Sequence, residues 1–119
     1  MRLMAALCSA ITLVAITSPA LAQNPDRVAP PAEFDRPFEG RLIKLRLDTV
    51  AEVRTACRTP LAMGLGCAPY LHPSLCVVVL ASDEVIKAAG YSTEIVLRHE
   101  IAHCNGWPKD HPNSRLWVR

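Results

Sequence analysis

The chain has 119 residues, half of them hydrophobic and 20% charged, and its formal net charge is +2, so one small globular domain is expected rather than two. Thirteen Lys and Arg stand against eleven Asp and Glu without a long basic run, which gives no electrostatic footprint for nucleic acid or for a polybasic membrane contact. Nucleic-acid-binding proteins are therefore excluded as a class.

The first 22 residues have the pattern of a secretory signal peptide. Arg2 gives a positive start, residues 3–16 are almost uninterruptedly apolar, and Ala20-Leu21-Ala22 is a small-x-small cleavage site. A membrane anchor is the alternative, but the apolar run is shorter than the roughly 20 residues that a spanning helix needs. We therefore predict that residues 1–22 are removed and that the protein is secreted or periplasmic, with no stable membrane insertion.

Four cysteines remain after residue 22, namely Cys57, Cys67, Cys76 and Cys104. An even number of cysteines in a small exported chain predicts two disulfides, each worth roughly 2 to 4 kcal/mol. The spacing does not choose among the three possible pairings. A cysteine zinc site is the alternative, but the sequence contains no Cys-x-x-Cys pair.

Residues 23–37 contain four prolines among charged and small residues and are predicted to form an extended, largely unpacked arm. The globular domain then covers residues 38–119. Alternating side chains over residues 41–47 predict a strand with one solvated side. Thr49 and Glu52 have capping-box spacing, which predicts a short helix over residues 49–58.

Residues 59–74 contain three prolines and two glycines and are predicted to form a loop held by Cys67. The β-branched residues 76–81 give the strongest strand signal and should be buried on both faces. Ser82 and Ser92 are helix N-cap residues, which predicts helices over residues 83–89 and 93–105, and Gly106 ends the second. The predicted fold is α+β: a small mixed sheet with helices to one side, the longer helix packed on it, stapled by disulfides.

The longer predicted helix carries His99, Glu100 and His103 as His-Glu-x-x-His. Two histidines four residues apart project from one helix face, where both imidazoles can bind a single tetrahedral Zn²⁺. Glu100 then flanks the open coordination position. The opposite side of the helix is apolar and is expected to face the core.

Residues 99–107, His-Glu-Ile-Ala-His-Cys-Asn-Gly-Trp, resemble the active-site helix and following turn of the zincin metallopeptidases, and the chain looks like a small secreted metzincin-like variant. The resemblance implies that His99 and His103 are zinc ligands and that Glu100 is the general base toward the zinc-bound water. It also implies that an upstream edge strand, here residues 76–81, holds an extended peptide substrate.

A zincin needs a third ligand. No Glu follows Glu100, which disfavours the thermolysin-like branch, and Gly106 fits the metzincin-like turn although Lys109 stands where that branch has its third histidine. The ligand candidates beyond the helix are Asp110 and His111. We favour His111 because imidazole suits zinc, and Asp110 then orients an imidazole from behind.

These features predict a zinc-dependent peptidase acting on peptide or protein substrates, including the peptide stems of a bacterial wall. Tyr91, His72 and Arg98 are candidates for an additional oxyanion donor, and His72 is also an outside candidate for a ligand. The alternatives are a non-catalytic exported binding module with a structural or vestigial metal site and a metal-free disulfide scaffold. Trp107 and Trp117 are interpreted as closing the C-terminal end of the core rather than stacking on substrate.

Overall fold

The computed structural model describes residues 28–58 and 64–117. The predicted signal peptide and residues 59–63 of the predicted loop lie outside these two ranges. Among the helices within the ranges, none combines the length and the apolar character that crossing a bilayer requires.

A small mixed sheet forms the centre of the fold. The elements in chain order are β1 (Val28–Ala29), β2 (Arg41–Leu47), α1 (Val50–Cys57), β3 (Gly66–His72), β4 (Leu75–Ala81), α2 (Asp83–Ala88), α3 (Thr93–Cys104) and β5 (Arg115–Leu116). The sheet has the order β2, β4, β3, with β2 parallel and β3 antiparallel to β4. β1 and β5 form a separate antiparallel pair. The predicted α+β class with a small mixed sheet is confirmed.

Strand β4 is the central strand of this sheet. Its neighbouring residues Val78 and Val79 point to opposite faces, yet they are only 0% and 2% exposed. The prediction that this strand is buried on both faces is confirmed. The expectation that residues 76–81 form an edge strand for substrate is wrong, because β4 has a partner on each side. Within the described residues, the antiparallel edge strand is β3.

Strand β3 contradicts the prediction of a loop over residues 59–74. Pro69 is tolerated because β3 lies at the edge of the sheet and its pairing shifts between Cys67 and Tyr70. Gly66 allows a close approach to β4, since a Cβ atom there would lie 3.0 Å from the Val79 carbonyl oxygen. The proline and the glycine in this segment thus indicate an irregular strand and not a loop.

Hydroxyl side chains begin the helices, as predicted. The Thr49 hydroxyl accepts from the Glu52 backbone N–H at 3.2 Å, and the Glu52 carboxylate accepts from the Thr49 backbone N–H at 2.9 Å. This is the predicted capping box. Ser82 and Ser92 each accept from the backbone N–H three residues later and so begin α2 and α3.

Two disulfides tie the helices to the sheet and select one of the three pairings. Cys57–Cys67 joins α1 to β3, and Cys76–Cys104 joins β4 to α3. Cys67 lies opposite Val79, whereas Cys76 points to the other face of β4, so α1 and α3 cover opposite faces. The prediction of helices on one side only is therefore wrong. Two disulfides are typical of proteins outside the cytoplasm.

Residues 28–37, which we call the strap, pack against the C-terminal part of the chain. Pro30 and Pro31 are buried, and β1 of the strap pairs with β5. The Asn105 side-chain amide, just after α3, donates to the carbonyl oxygens of Phe34 at 3.0 Å and Arg36 at 2.7 Å. The expectation of a largely unpacked arm is wrong for these residues, because their backbone carbonyls serve as hydrogen-bond acceptors.

The Asp35 carboxylate of the strap connects α3 to β5. It accepts two hydrogen bonds from the Arg98 guanidinium at 3.1 and 2.7 Å and lies 3.4 Å from Arg115 Nη2. Arg115 also donates to the Pro30 carbonyl oxygen at 2.9 and 2.6 Å. The hydrogen bonds from Arg98 to Asp35 raise the pKa of Arg98 above its usual value. The strap thus holds the segment that follows α3 against the helix.

Loss of the Cys76–Cys104 disulfide is expected to destabilise the protein more than loss of Cys57–Cys67. The two bridges span 28 and 10 residues, and the closure entropy of the unfolded chain makes the longer loop worth about 0.9 kcal/mol more. Urea denaturation of the Cys76→Ala/Cys104→Ala and Cys57→Ala/Cys67→Ala variants measures the difference. An equal or reversed order would show that loop closure does not dominate.

Candidate metal centre

Helix α3 ends in a Schellman motif that turns the chain back under its last turn. Gly106 has φ of +103°, a left-handed conformation that glycine adopts without a Cβ clash. Its N–H donates to the His103 carbonyl at 3.0 Å, and the Trp107 N–H donates to the Ala102 carbonyl at 3.0 Å. The predicted stop at Gly106 is confirmed, and Trp107 is placed against the end of the helix.

The next turn presents His111 to α3. The His111 N–H donates to the Pro108 carbonyl at 3.0 Å. His111 has φ of +57°, a left-handed conformation that costs energy for a residue with a Cβ atom and more so before a proline such as Pro112. Such conformations persist where surrounding contacts determine them, and they cluster at functional sites.

The rings of His99, His103 and His111 converge. His99 Nε2 lies 3.1 Å from His111 Nε2 and 3.3 Å from His103 Nε2, and one ring nitrogen of each lies within 4.8 Å of the others. A tetrahedral ion with metal–nitrogen bonds of 2.0 to 2.1 Å needs nitrogens about 3.3 to 3.4 Å apart. The group could therefore hold a metal ion with small adjustments.

Burial favours the neutral, metal-binding form of His103 and His111. His99 is 2% exposed and His103 is 6% exposed. His103 Nδ1–H donates to the Trp107 carbonyl oxygen at 2.8 Å, which leaves the lone pair on Nε2 for a metal. Burial lowers the pKa of both His103 and His111, and the Trp107 carbonyl only partly offsets this at His103. The lowered pKa favours the uncharged form of both rings, which metal binding requires.

The hydrogen bonds among the three converging nitrogens depend on which ring nitrogen carries a proton. With its proton on Nδ1, His103 can only accept at Nε2, and Nε2 of a neutral His99 either donates or accepts. His99 Nε2 can therefore share one proton between the ring nitrogens at 3.1 and 3.3 Å. A cation facing three lone pairs satisfies all of them at once.

The group has three members, and among the described residues no fourth His, Cys, Asp or Glu joins it. Asp110, the alternative third ligand, is exposed and lies outside the group. Glu100 is 3% exposed and precedes His103 by three positions, which places the two side by side on the helix surface. Three protein ligands leave one position of a tetrahedral ion available.

The candidates for an oxyanion donor are engaged in other parts of the fold. His72 is exposed at the end of β3, where its Nδ1 lies 3.0 Å from the Ser74 hydroxyl. Arg98 pairs with Asp35 and lies over the Trp117 ring at 5.0 Å. Tyr91 packs against the core around β4. These contacts select none of the three.

The contacts of Trp107 with the histidines could not be inferred from composition. The prediction that Trp107 closes a small C-terminal core holds, because it packs with Ala102 and Phe34. Its ring also contacts the ring of every proposed ligand. The position of Trp107 directly after Gly106 could have predicted these contacts, because a Schellman motif brings a hydrophobic side chain at this position back onto the helix.

Comparison with protein-family models, with curated protein sequences and with solved structures finds no match to this chain. The motif and the geometry of the site are therefore the basis for assigning a function.

His111→Ala is expected to weaken zinc binding by at least about 100-fold, since changes behind the ligands already cost 10- to 100-fold in metal affinity. Competition with a chromophoric chelator measures the affinity. His72→Ala is the matched control, because His72 is exposed and contacts Ser74. Asp110→Ala tests the alternative ligand. Strong loss in Asp110→Ala with none in His111→Ala would contradict this assignment.

Proposed function

We propose that the protein is an exported zinc-dependent peptidase in which His99, His103 and His111 hold the metal and Glu100 is the general base. The observation that carries this proposal is the convergence of three imidazole nitrogens beside a helix that also buries a carboxylate. This is the ligand set and the acid–base group that metal-assisted amide hydrolysis requires.

The donor set favours zinc over other common ions. Three imidazoles, with two of their nitrogen–nitrogen distances close to tetrahedral spacing, suit Zn²⁺, whereas Mg²⁺ and Ca²⁺ prefer oxygen ligands in larger shells. A zinc ion with three neutral protein ligands supplies Lewis acidity and lowers the pKa of water toward 7. The disulfides and the predicted signal peptide support export to a secreted or periplasmic location.

Glu100 is proposed to move the proton. Its carboxylate accepts a proton from the attacking water and then returns it to the leaving amine nitrogen, so a single group acts as base and acid. Its position beside His103 on α3 suits this role. Glu100 is a residue of α3, so the helix sets where its carboxylate lies. Burial further restricts the side chain.

The substrate is proposed to be an extended peptide held by β3. This edge strand packs against α3, and its exposed residues include Tyr70 and Leu71. An extended peptide can add to such an edge through backbone hydrogen bonds. His111 is the partly exposed ligand, so the scissile bond approaches the metal from the side of the His111 turn.

A second candidate is a non-catalytic module in which the metal fastens the C-terminal segment to α3. The observation that favours it is the depth of His99 and His103, which are nearly inaccessible in the described residues. Structural zinc sites are closed by four protein ligands, whereas the part of the chain that the structure describes brings three together. The ligand count therefore favours the peptidase.

Glu100→Gln is expected to keep zinc and lose hydrolysis. The amide preserves the shape of the side chain but cannot take a proton, and loss of general acid–base catalysis costs about 100- to 10,000-fold in rate. Zinc content by elemental analysis and cleavage of a quenched fluorescent peptide library are the two measurements.

Glu94→Gln is the matched control, since Glu94 is exposed in the first turn of the same helix. Undiminished cleavage by Glu100→Gln would contradict the proposed mechanism. Zinc binding by the unsubstituted protein without cleavage of any peptide would favour the non-catalytic module.

A further inference from the structure

Trp107 is the largest fully buried side chain of the described residues, at 1% exposed, and it lies against all three histidines. Its ring centroid is 5.2 Å from that of His99, 5.1 Å from that of His103 and 4.8 Å from that of His111. It stacks nearly parallel on His103 and meets the other two rings edge-on. One indole thus limits the movement of three imidazoles.

Two hydrogen bonds from the same residue reach both parts of the site. The Trp107 carbonyl oxygen accepts from His103 Nδ1 at 2.8 Å, on the helix side. The indole Nε1–H donates to the Pro112 carbonyl oxygen at 2.9 Å, directly after His111 on the loop side. The His111 backbone is in a left-handed conformation, which costs energy. The hydrogen bond from the Trp107 indole to Pro112 is one of the contacts that stabilise this conformation.

We propose that Trp107 is a positioning residue for the three-histidine centre, holding His103 and the His111 turn in binding geometry before the metal arrives. The inference depends on the metal centre of the proposed function but not on hydrolysis. A site prepared in this way loses less conformational freedom when it binds an ion, so its affinity is higher.

A core-filling role would explain burial but predicts a different response to substitution. A filler affects the stability of the whole fold, whereas a positioning residue affects zinc affinity even in a protein that remains folded. Trp107→Phe separates these roles, because it keeps an aromatic ring and the backbone carbonyl but removes the indole N–H that holds Pro112.

The chain offers a matched control in Trp117. Its indole N–H has no hydrogen-bond partner among the described residues, and its ring lies against the Arg98 guanidinium. Trp117→Phe is therefore the same chemical change without the loss of a hydrogen bond. Both variants are made in the full chain, and zinc affinity is measured by chelator competition at a temperature where circular dichroism shows each to be folded.

Trp107→Phe is expected to lower zinc affinity by about 10- to 100-fold, the range found when groups supporting metal ligands are removed. Trp117→Phe should stay within about threefold of the unsubstituted protein, because a phenyl ring can still lie against Arg98 and no hydrogen bond is lost. Equal zinc affinity in Trp107→Phe and the unsubstituted protein would overturn the inference and leave the metal centre standing. An unsubstituted protein that binds no zinc would instead overturn the proposed function as well.

A spectroscopic measurement keeps the inference testable if Trp107→Phe does not fold. The sequence contains two Trp residues, so Trp117→Phe leaves Trp107 as the only indole. Equimolar Co²⁺ in place of zinc should quench most of its fluorescence, because the ring contacts every ligand. Emission that does not change while Co²⁺ binds would show that Trp107 is not at the site and would overturn the inference.

Discussion

The proposed metal centre depends on the close approach of three imidazole nitrogens from two separate segments. His99 and His103 come from α3, and His111 comes from a turn whose backbone is in a left-handed conformation. His99 Nε2 lies 3.1 and 3.3 Å from the other two ring nitrogens, which is close to the spacing that a tetrahedral cation needs. The proposed metal ion between helix and turn would account for both the unusual backbone and the converging lone pairs.

The rest of the fold holds these two segments in place. The Cys76–Cys104 disulfide attaches α3 to the central strand at the residue after His103. The Asp35 carboxylate joins Arg98, just before His99, to Arg115, four positions after His111. The disulfide and the ion pairs therefore hold both segments that carry the proposed ligands. They order these ligands more than the small core of a chain of this length would do alone.

The sequence predicted the elements whose signals are local. The capping box at Thr49, the serine caps and the glycine stop at Gly106 depend on neighbouring residues, and all occur as predicted. Strand β3 was missed because pairing with β4 outweighs the breaker Pro69 in an irregular edge. The packed strap was missed for a similar reason: its bonds join residues more than sixty positions apart, for example at Asp35. Residue types alone left Asp110 and His111 as the two candidates for the third ligand. Only the fold shows that His111 lies close to the histidines of α3.

X-ray absorption spectroscopy at the zinc edge, on the purified and zinc-loaded protein, tests the three-histidine metal centre directly. Three nitrogen ligands with the scattering pattern of imidazole are expected at about 2.0 to 2.1 Å, together with one further light atom. A shell of sulfur at about 2.3 Å, or a fourth imidazole, would contradict this metal centre, because the first implies cysteine ligands and the second a closed structural site.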